Sequence, residues 1–506
     1  MNIATLLYAT AQATPRHPAV TDVKGSLTYE QLASRTKKIA HNLIDEVGLS
    51  QRDKVVVCMD NCVEFIEVLF ACWSAGLTVV PVNSKLHSRE VRYIVEDSQA
   101  RLCIATDNQW QALVSEIGDD FATRIINVAS PSYTALSDGN GEIVTEVSSE
   151  EAAWVFYTSG TTGRPKGAVI SHGALLFMTM CYFADIDFVS EDETQLHVAP
   201  LSHAAGLYAL PHIAKGGHQV VLSAPFAPAE VFAAIEHYPH VSMFVAPTML
   251  TRLIDSPEAK NANVENIKTI VYGGGPMPLA DLKRAITFFG PKLYQIYGQG
   301  EAPMSITGVS KRHHSLAGDS EYESLLKSVG TPRTGVEVKV VGPTGLPLPA
   351  HEIGEILTRS SAMMSGYLGK KDNPFRDGWL ATGDLGSIDE SGFLTLHGRS
   401  KEMIVSGGSN VYPREVEDVL LRHPSVSQCA VVGRPSEEWG EEVVAFVVPA
   451  TNTTISFDEL DGLCLDNIAR FKRPREYFVV ESLPTNDYGK LVRNELRQIL
   501  MKGPNT

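Results

Sequence analysis

The sequence lacks the cysteine pairs and long apolar runs that would assign it to several protein classes. Its seven cysteines include no Cys-x-x-Cys pair, and most lie in apolar runs such as VLFACWSAG. This pattern predicts buried, reduced thiols, which are typical of cytoplasmic proteins, and we expect that localisation. Uncharged stretches such as residues 68–84 are interrupted by Ser, Gly, Thr and Pro. They predict a helix end, a turn and a buried strand rather than a membrane span.

An excess of positive charge and a targeting segment are also missing. Lys and Arg total 43 against 59 Asp and Glu, so the formal net charge is −16. This charge disfavours nucleic acid and anionic membranes as main partners, whereas a small anion such as ATP can still bind where donors cluster. No basic segment precedes the first apolar residues, so we expect no secretory signal.

The order of apolar segments predicts an α/β protein with more than one domain. The chain has 506 residues, which exceeds the usual size of a single core. Strand patterns alternate with helical patterns over residues 28–106 and again from 154, as in parallel sheets covered by helices. Thr28 and Gln31 fit a helix capping box, and the polar segment 129–150 is interpreted as a surface linker. Short β-like segments follow residue 330, and a further small α/β segment follows residue 399.

The segment VFYTSGTTGRPKGAV, residues 155–169, has the composition of a phosphate-binding loop. A Walker A motif is absent, because Pro165 precedes Lys166 and Gly167 follows it. What remains is a strand that runs into glycines and hydroxyl residues, where exposed amides form an anion site and one lysine adds charge. A generic surface turn is the alternative. The candidate residues are Thr158, Ser159, Gly160, Thr161, Thr162, Gly163 and Lys166.

Six segments together resemble the signature motifs of the adenylate-forming superfamily, which includes acyl-CoA and aryl-CoA synthetases. They are YTSGTTGRPKGA at 157–168, VYGGGPMP at 271–278, IYGQGEAP at 296–303, TGD at 382–384, GRSKEMIVSGGSNVYPREVE at 398–417 and PTNDYGK at 484–490. The segments follow the family's order, and the resemblance covers essentially the whole chain. It implies an α/β fold with a large N-terminal domain, residues 1–398, of two αβαβα-like subdomains plus a small β-rich subdomain. A mobile, small α+β C-terminal domain, residues 399–506, would follow a hinge near Lys401.

The resemblance also implies a two-step reaction. A carboxylic acid reacts with ATP to give an acyl adenylate and pyrophosphate, and a second nucleophile then displaces AMP. The loop 158–166 would hold the β- and γ-phosphates, and Glu301 would help to hold Mg²⁺. Tyr297 would stack on adenine, and a buried core position is its alternative. Gly274, Gly275, Gly298 and Gln299 would complete the ATP site.

Further residues match the family's ribose, catalytic and acceptor positions. Asp384 would accept hydrogen bonds from both ribose hydroxyls, with Arg399 nearby, although an aspartate after glycine is often only a turn residue. Lys490 would bridge the attacking carboxylate and the α-phosphate, where charge accumulates in the transition state. A solvated surface lysine is the alternative for Lys490. Gly407 and Gly408 would border the acceptor channel, because glycines leave room there.

The acyl pocket is less well defined by the sequence. His203 and Gly273 match pocket positions of the family, and a packed core position is the alternative for His203. Gly300 departs from the family, which usually has threonine before the glutamate, so backbone amides or Gln299 are expected to substitute for the missing hydroxyl. The histidines of this region, His197, His203 and His212, lack the close ligand cluster that zinc uses.

The leading interpretation is an acyl- or aryl-CoA ligase that uses a carboxylic acid, ATP and coenzyme A. An amide synthetase that passes the adenylate to an amine is the main alternative, and a ligase for a carrier protein is a third. A nucleotide-binding protein without activity is disfavoured, because Lys166, Glu301, Asp384 and Lys490 are all retained. The sequence leaves open the identity of the acid and the oligomeric state, including a homodimer.

Overall fold

The protein is described by a computed structural model, which covers residues 1–117, 124–158, 165–223, 225–275, 277–314, 320–369, 373–407, 409–485 and 491–502. The chain divides into two compact units. The first unit comprises Met1–Met277, Asp281–Glu337 and Thr358–Leu380, and the second comprises Pro278–Ala280, Val338–Leu357 and Ala381–Thr506.

The larger sheet of the first unit has nine strands within the described residues. In spatial order these are Thr331–Pro332, Ala302–Val309, Leu293–Gln299, Ile267–Gly273, Val241–Val245, Thr194–His197, His218–Val221, Pro18–Asp22 and Gly25–Thr28. The six strands from Leu293–Gln299 to Pro18–Asp22 run parallel. Each of the outer strands pairs antiparallel with the strand beside it. The carboxyl ends of the parallel strands therefore lie at one edge of the sheet.

The second sheet of the first unit has seven strands in the described part of the chain. Their order is Gly366–Tyr367, Lys166–Ser171, Ala152–Thr158, Thr78–Pro81, Lys54–Cys58, Leu102–Ala105 and Arg124–Asn127. The five strands from Ala152–Thr158 onward are parallel. Lys166–Ser171 runs in the opposite direction and pairs antiparallel with both of its neighbours. Val55, Val56 and Val57 are fully buried, as expected for a central strand with both faces covered.

Helices alternate with these strands along the chain, as the sequence predicts. The α-helices before residue 330 are Thr5–Ala13, Tyr29–Asp45, Val63–Ser74, Ser88–Ser98, Asp107–Ile117, Pro131–Leu136, His172–Cys181, Ala204–Leu207, Ala209–Ile213, Pro228–His237, Pro247–Asp255, Leu279–Phe289, Lys311–His314 and Ser320–Lys327, with a π-helical turn at Tyr182–Ile186 and a 3₁₀ turn at Pro257–Asn261. The predicted capping box is confirmed, because Gln31 N donates to Thr28 Oγ1 at 3.3 Å and Thr28 N donates to Gln31 Oε1 at 2.9 Å.

Among the described residues after 336, the chain forms two smaller sheets and three helices. The strands of one sheet are Glu337–Val341, Gly354–Arg359, Trp379–Ile388 and Phe375–Arg376 in order, and Leu394–Arg399 pairs with Trp379–Ile388. Those of the other are Ser409–Val411, Ile404–Ser406, Gly440–Pro449 and Val426–Ser436, and Glu476–Val479 pairs with Gly440–Pro449. The helices are Pro413–Leu420, Phe457–Asn467 and Arg493–Lys502.

The last sheet has an apolar core on both faces, because side chains alternate along its two long strands. On one face, Val431 and Val443 pack in a cluster with Leu460. On the other, Phe446 packs in a cluster with Leu496. These elements match the β-rich and α/β textures that the sequence predicts after residues 330 and 399.

One prediction from the sequence is wrong in part, because segment 129–150 is more than a surface linker. It forms the helix Pro131–Leu136, in which Tyr133 is only 2% exposed. The Tyr133 hydroxyl donates to Glu67 Oε2 at 2.7 Å, and Arg35 pairs with the same carboxylate. The segment is mostly polar, so its composition indicated a surface linker and gave no sign that Tyr133 and Leu136 are buried and anchor it.

The seven cysteines are all buried and unpaired, as predicted. Burial raises the pKa of every one of these thiols, and that of Cys58 reaches about 12. Within the described ranges, no helix combines the length and the apolar character needed to cross a membrane.

Candidate active site

The ends of the predicted phosphate loop are held by an antiparallel strand pair. Ala152–Thr158 runs into the loop and Lys166–Ser171 leaves it, with Thr158 directly opposite Lys166 in the register. The side chains of both residues are half-buried. Ser159, Gly160, Thr161, Thr162 and Gly163 lie outside the described residues. Their contact with phosphate remains a prediction, whereas the structure does bring Thr158 and Lys166 together.

Glu301 lies against the end of this strand pair. Thr158 Oγ1 donates to Glu301 Oε1 at 3.2 Å, and the Tyr367 hydroxyl donates to the same oxygen at 2.8 Å. The Lys166 ammonium is 5.2 Å from the centroid of the Tyr367 ring. Glu301 is only 8% exposed, so both hydroxyl groups orient a carboxylate that is largely shielded from water. We call Thr158, Lys166, Glu301 and Tyr367 the phosphate-side cluster.

The backbone after Glu301 is held by a buried arginine. Met304 has a φ of +54°, which is a strained conformation for a residue with a long side chain. Arg333 is 4% exposed, and its Nη1 donates to Met304 O at 2.6 Å while its Nε pairs with Asp185 at 3.2 Å. These contacts hold the strained residue near the start of the strand Ala302–Val309, which follows Glu301 directly.

The glycine-rich candidates lie at the carboxyl ends of two adjacent parallel strands. Gly273 pairs with Ile296 in the register, and a Cβ on Gly273 would lie 2.5 Å from Ile296 O. A Cβ on Gly298 would lie 2.5 Å from Met304 N. Close approach of the backbone therefore requires glycine at both positions. Gly274 and Gly275 follow at the surface, and Gln299 is half-buried at the end of its strand.

Tyr297 and His203, each of which has a packing alternative, differ in exposure. Tyr297 is 7% exposed, and its stacking on adenine stays a prediction. His203 is half-buried, its Nδ1 is 3.1 Å from Ser202 Oγ, and its ring meets Phe156 edge-on with centroids 5.3 Å apart. The structure thus places His203 against Phe156, which lies two residues before Thr158 on the strand Ala152–Thr158.

Two other histidines of this region are packed in the interior. Burial lowers the pKa of His197 to about 4 and that of His212 to about 3, so both imidazoles are neutral near pH 7. His197 Nε2 is 3.1 Å from Gln219 Oε1, and His212 Nδ1 is 3.0 Å from Tyr208 O. Among the described residues, no group of three or more His, Cys, Asp or Glu side chains could hold a metal ion.

In the second unit, Asp384 and Arg399 face each other across two antiparallel strands. They are partners in the register, and Arg399 Nε is 3.3 Å from Asp384 Oδ1. Asp384 N donates to Thr382 Oγ1 at 3.1 Å, and Gly383 has a φ of +71°. Thr382, Gly383 and Asp384 nevertheless all lie within the strand Trp379–Ile388, so the expectation of a turn at this glycine-aspartate pair is wrong. The Asp384 side chain is 12% exposed and that of Arg399 is 45% exposed, which leaves the arginine accessible to a ligand.

Two further candidates of the second unit, Lys401 and Gly407, lie on turns. Lys401 is exposed on a turn in which the amides of Glu402 and Met403 donate to Arg399 O at 2.9 and 3.2 Å. Gly407 has a φ of +58°, and a Cβ there would lie 2.9 Å from the Trp439 ring. Gly408 and Lys490 lie outside the described residues, and their roles stay predictions.

Sequence reasoning missed Tyr367 and Phe156. Tyr367 belongs to a strand of only two residues, which is too short to give a periodic pattern, and it reaches Glu301 from 66 residues away. Phe156 lies directly before the motif at 157–168, but an apolar residue in a strand is normally interpreted as part of the hydrophobic core. Its alternation with Thr158 was the signal available, since residues two apart share one face of a strand.

Comparison with known families assigns this geometry to a class of enzymes. The family model for AMP-binding enzymes matches residues 7–368, and that for the AMP-binding enzyme C-terminal domain matches residues 415–490. The chain therefore belongs to the AMP-binding enzyme family. The predicted resemblance to adenylate-forming enzymes is confirmed.

Similar proteins match this chain over nearly its full length. The feruloyl-CoA synthase of Amycolatopsis sp is 34% identical over 493 residues, which cover 96% of this chain and 97% of the relative. The solved o-succinylbenzoate CoA synthetase from Bacillus subtilis, in complex with its acyl-adenylate intermediate, is 30% identical, with a TM-score of 0.86 over 97% of each chain. The amide bond synthetase from Marinactinospora thermotolerans is 27% identical, with a TM-score of 0.86 over 98% of this chain and 99% of that one. The predicted fold class is thereby confirmed.

Proposed function

We propose that this protein joins a carboxylic acid to coenzyme A in two steps, and that ATP is converted to AMP and pyrophosphate. The observation that carries the proposal is the phosphate-side cluster, in which the carboxylate of Glu301 meets the hydroxyl of Thr158 opposite Lys166. Full-length similarity to a feruloyl-CoA synthase supports coenzyme A as the acceptor. The partners would then be small molecules, and the buried, unpaired thiols support a cytoplasmic location.

In the first step, the protein has to bring two anions together. Lys166 would neutralise the β- and γ-phosphates, with the loop 159–163 adding backbone amides and hydroxyls. Lys490 would contact the attacking carboxylate and the α-phosphate. Asp384 would bind the ribose hydroxyls, and Arg399 would stand beside it near the ribose or a phosphate. Positive charge and hydrogen-bond donors placed where negative charge develops would favour the transition state.

The residues of the phosphate-side cluster fit the magnesium ion that accompanies ATP. Glu301 offers a hard carboxylate oxygen, and Mg²⁺ bound to a nucleotide needs only one or two protein carboxylates because phosphates and water supply the other ligands. When bound, the ion supplies charge shielding for the triphosphate. Glu301 would hold it, while Thr158 and Tyr367 fix the orientation of that carboxylate.

For the second step, we propose that residues 399–506 act as a domain that turns about a hinge near Lys401. One pose would present Lys490 for adenylation, and the other would present Gly407 and Gly408 to the acceptor. The tight approach of Gly407 to Trp439 suits a narrow passage, because a Cβ there would lie 2.9 Å from the ring. Lys401→Pro is expected to slow thioester formation more than pyrophosphate release, and equal slowing of both would argue against the hinge.

The test uses the purified full chain with ATP, MgCl₂ and a panel of acids that includes ferulate, 2-succinylbenzoate, octanoate and cinnamate. Parallel reactions contain coenzyme A, mixed amino acids or no acceptor, and the readouts are pyrophosphate release and product mass. Acid-dependent pyrophosphate release with a CoA thioester as product would support the proposal. Absence of pyrophosphate release with every acid would overturn it.

An amide synthetase is the second candidate, because the structure of an amide bond synthetase matches this chain over nearly its whole length. Both functions share the adenylation step, so the phosphate-side cluster supports them equally. An amide formed from the acid and an amino acid, with no thioester in the coenzyme A reaction, would replace the first proposal by this one.

A further inference from the structure

Gly300, the residue directly before Glu301, lies at a position that has no space for a side chain. An ideal Cβ built on Gly300 would lie 2.4 Å from Thr158 Cγ2 and 2.9 Å from Phe156 Cδ1, both closer than real Cβ contacts come. Gly300 is not among the glycines with a positive φ, so its backbone conformation does not require glycine. The neighbouring side chains, rather than the backbone, exclude a side chain at this position.

Phe156 is the larger of these neighbours, and its ring also contacts His203. Trp154, Phe156 and Thr158 share one face of the strand Ala152–Thr158, because side chains alternate along a strand. The half-buried Phe156 ring stacks against Trp154, with centroids 6.4 Å apart, and meets His203 edge-on at 5.3 Å. The ring therefore connects Gly300, next to Glu301, with the histidine expected in the acyl pocket.

We propose that Phe156 is a specificity-determining residue that excludes acids branched at the carbon next to the carboxylate. This inference rests on the proposed function, in which the carboxylate reacts near the phosphate-side cluster and the acyl group extends towards His203. The first carbons of the acyl group then pass the Phe156 ring. Trp154 and His203 contact the Phe156 ring on two sides and hold it in place. A methyl group on the carbon next to the carboxylate would therefore clash with a ring that cannot shift to make room.

Gly300 and Phe156 form a complementary pair of a small and a large residue. A threonine at position 300, which the resembling family usually has, would need the volume that Phe156 Cδ1 and the Thr158 methyl group occupy. The glycine makes room for the ring, and the ring in turn narrows the entrance to the acyl pocket. Glycine in place of the family's usual threonine at position 300 therefore changes the selectivity for the acid and does not remove a catalytic group.

The test compares unbranched acids with their α-methyl counterparts in the wild type, Phe156→Leu and Phe156→Ala. The probes are octanoate with 2-methyloctanoate and cinnamate with α-methylcinnamate, and the readout is kcat/KM for acid-dependent pyrophosphate release. The wild type is expected to favour the unbranched acid by about tenfold or more, which is the effect of one methyl group in a pocket. Phe156→Ala is expected to reduce this preference by about tenfold, and Phe156→Leu by less.

The outcomes separate this inference from the proposed function. An unchanged preference in Phe156→Ala, with a thermal midpoint near that of the wild type, would overturn the inference and leave the function intact. If Phe156→Ala does not fold, the same criterion applies to Phe156→Leu, which removes the ring but keeps an apolar side chain. A wild type that releases no pyrophosphate with any acid would overturn the proposed function and this inference together.

A second measurement tests the packing without any acid. Gly300→Thr is introduced into the wild type and into Phe156→Ala/Thr158→Ser, which lacks both atoms that the new Cβ would meet. The thermal midpoint is expected to fall in the wild-type background and to fall clearly less in the double variant. Equal decreases in both backgrounds would contradict the complementary pair.

Discussion

Two carboxylates that we propose for ATP binding are positioned in different ways. Glu301, in the first unit, receives hydrogen bonds from Thr158 and Tyr367, which are 143 and 66 residues away in the chain. Asp384, in the second unit, pairs with Arg399 directly across two neighbouring strands. The Glu301 site thus depends on tertiary contacts throughout its unit, whereas the Asp384 pair follows from the local register of one strand pair.

The largest effect is expected from Glu301→Gln, which keeps the shape of the side chain and removes its charge. We expect kcat/KM for pyrophosphate release to fall by about 10²-fold or more, because the metal-bound triphosphate loses its protein carboxylate. Glu265→Gln, an exposed residue of the same unit, is the control and is expected to behave as the wild type. A rate near that of the wild type for Glu301→Gln would remove Glu301 from the catalytic machinery.

A smaller and different effect is expected from Asp384→Asn. The loss of a charged acceptor for the ribose hydroxyls should raise KM for ATP by about tenfold, with less change in kcat. Asp466→Asn, which is exposed in the second unit, serves as the matched control. A fall in kcat with an unchanged KM would show that Asp384 acts on the chemical step instead, and the contrast between the two carboxylates would disappear.

Tyr367→Phe is expected to have a milder effect, because Thr158 still donates to Glu301. Loss of one hydrogen bond to a carboxylate should lower kcat/KM by about tenfold or less, while the ring beneath Lys166 remains. The Mg²⁺ concentration for half-maximal rate should rise, which a purely structural role would not cause. If the Mg²⁺ dependence stays constant, Tyr367 does not position the magnesium-side carboxylate.

The smallest effect expected is the loss of stability when the pH is lowered from neutral, and it should arise mainly in the first unit. His197 and His212 belong to that unit, and burial lowers their pKa values to about 4 and about 3. These imidazoles stay neutral in the folded protein, whereas the unfolded chain binds protons at them below about pH 6.5. The free energy of unfolding should therefore fall as the pH drops from about 6.5 to 4, by at most about 1.4 kcal/mol per pH unit for each histidine.

Urea unfolding at several pH values measures this dependence. His172, His218 and His314 of the first unit also have pKa values lowered to about 4 by burial, so they add to the same slope. A free energy of unfolding that is constant between pH 7.5 and 5 would show that these histidines bind protons as readily in the folded protein as in the unfolded chain, and that burial does not lower their pKa values.

The sequence predicted the elements well and made the motif residues recognisable, because both depend on local patterns, whereas the roles of those residues stay predictions. Buried strands such as Lys54–Cys58 are short apolar runs, and Lys166, Glu301, Asp384 and Arg399 lie in recognisable segments. Tyr367 was out of reach, since its role follows from a pairing between Gly366–Tyr367 and Lys166–Ser171 that no local pattern encodes. Gly300 was visible as a departure from the family, but its cause lies in the volume of Phe156 on another strand.

The burial of the cysteines has a consequence for an enzyme that generates a reactive acyl adenylate. Such an intermediate acylates any accessible thiolate, and a surface cysteine near the site would compete with the incoming acceptor. All seven thiols of this chain are buried, and the raised pKa of each keeps it protonated near neutral pH. In the reaction that we propose, the thiols of this chain would therefore not compete for the acyl group, and coenzyme A would supply the thiol that captures it.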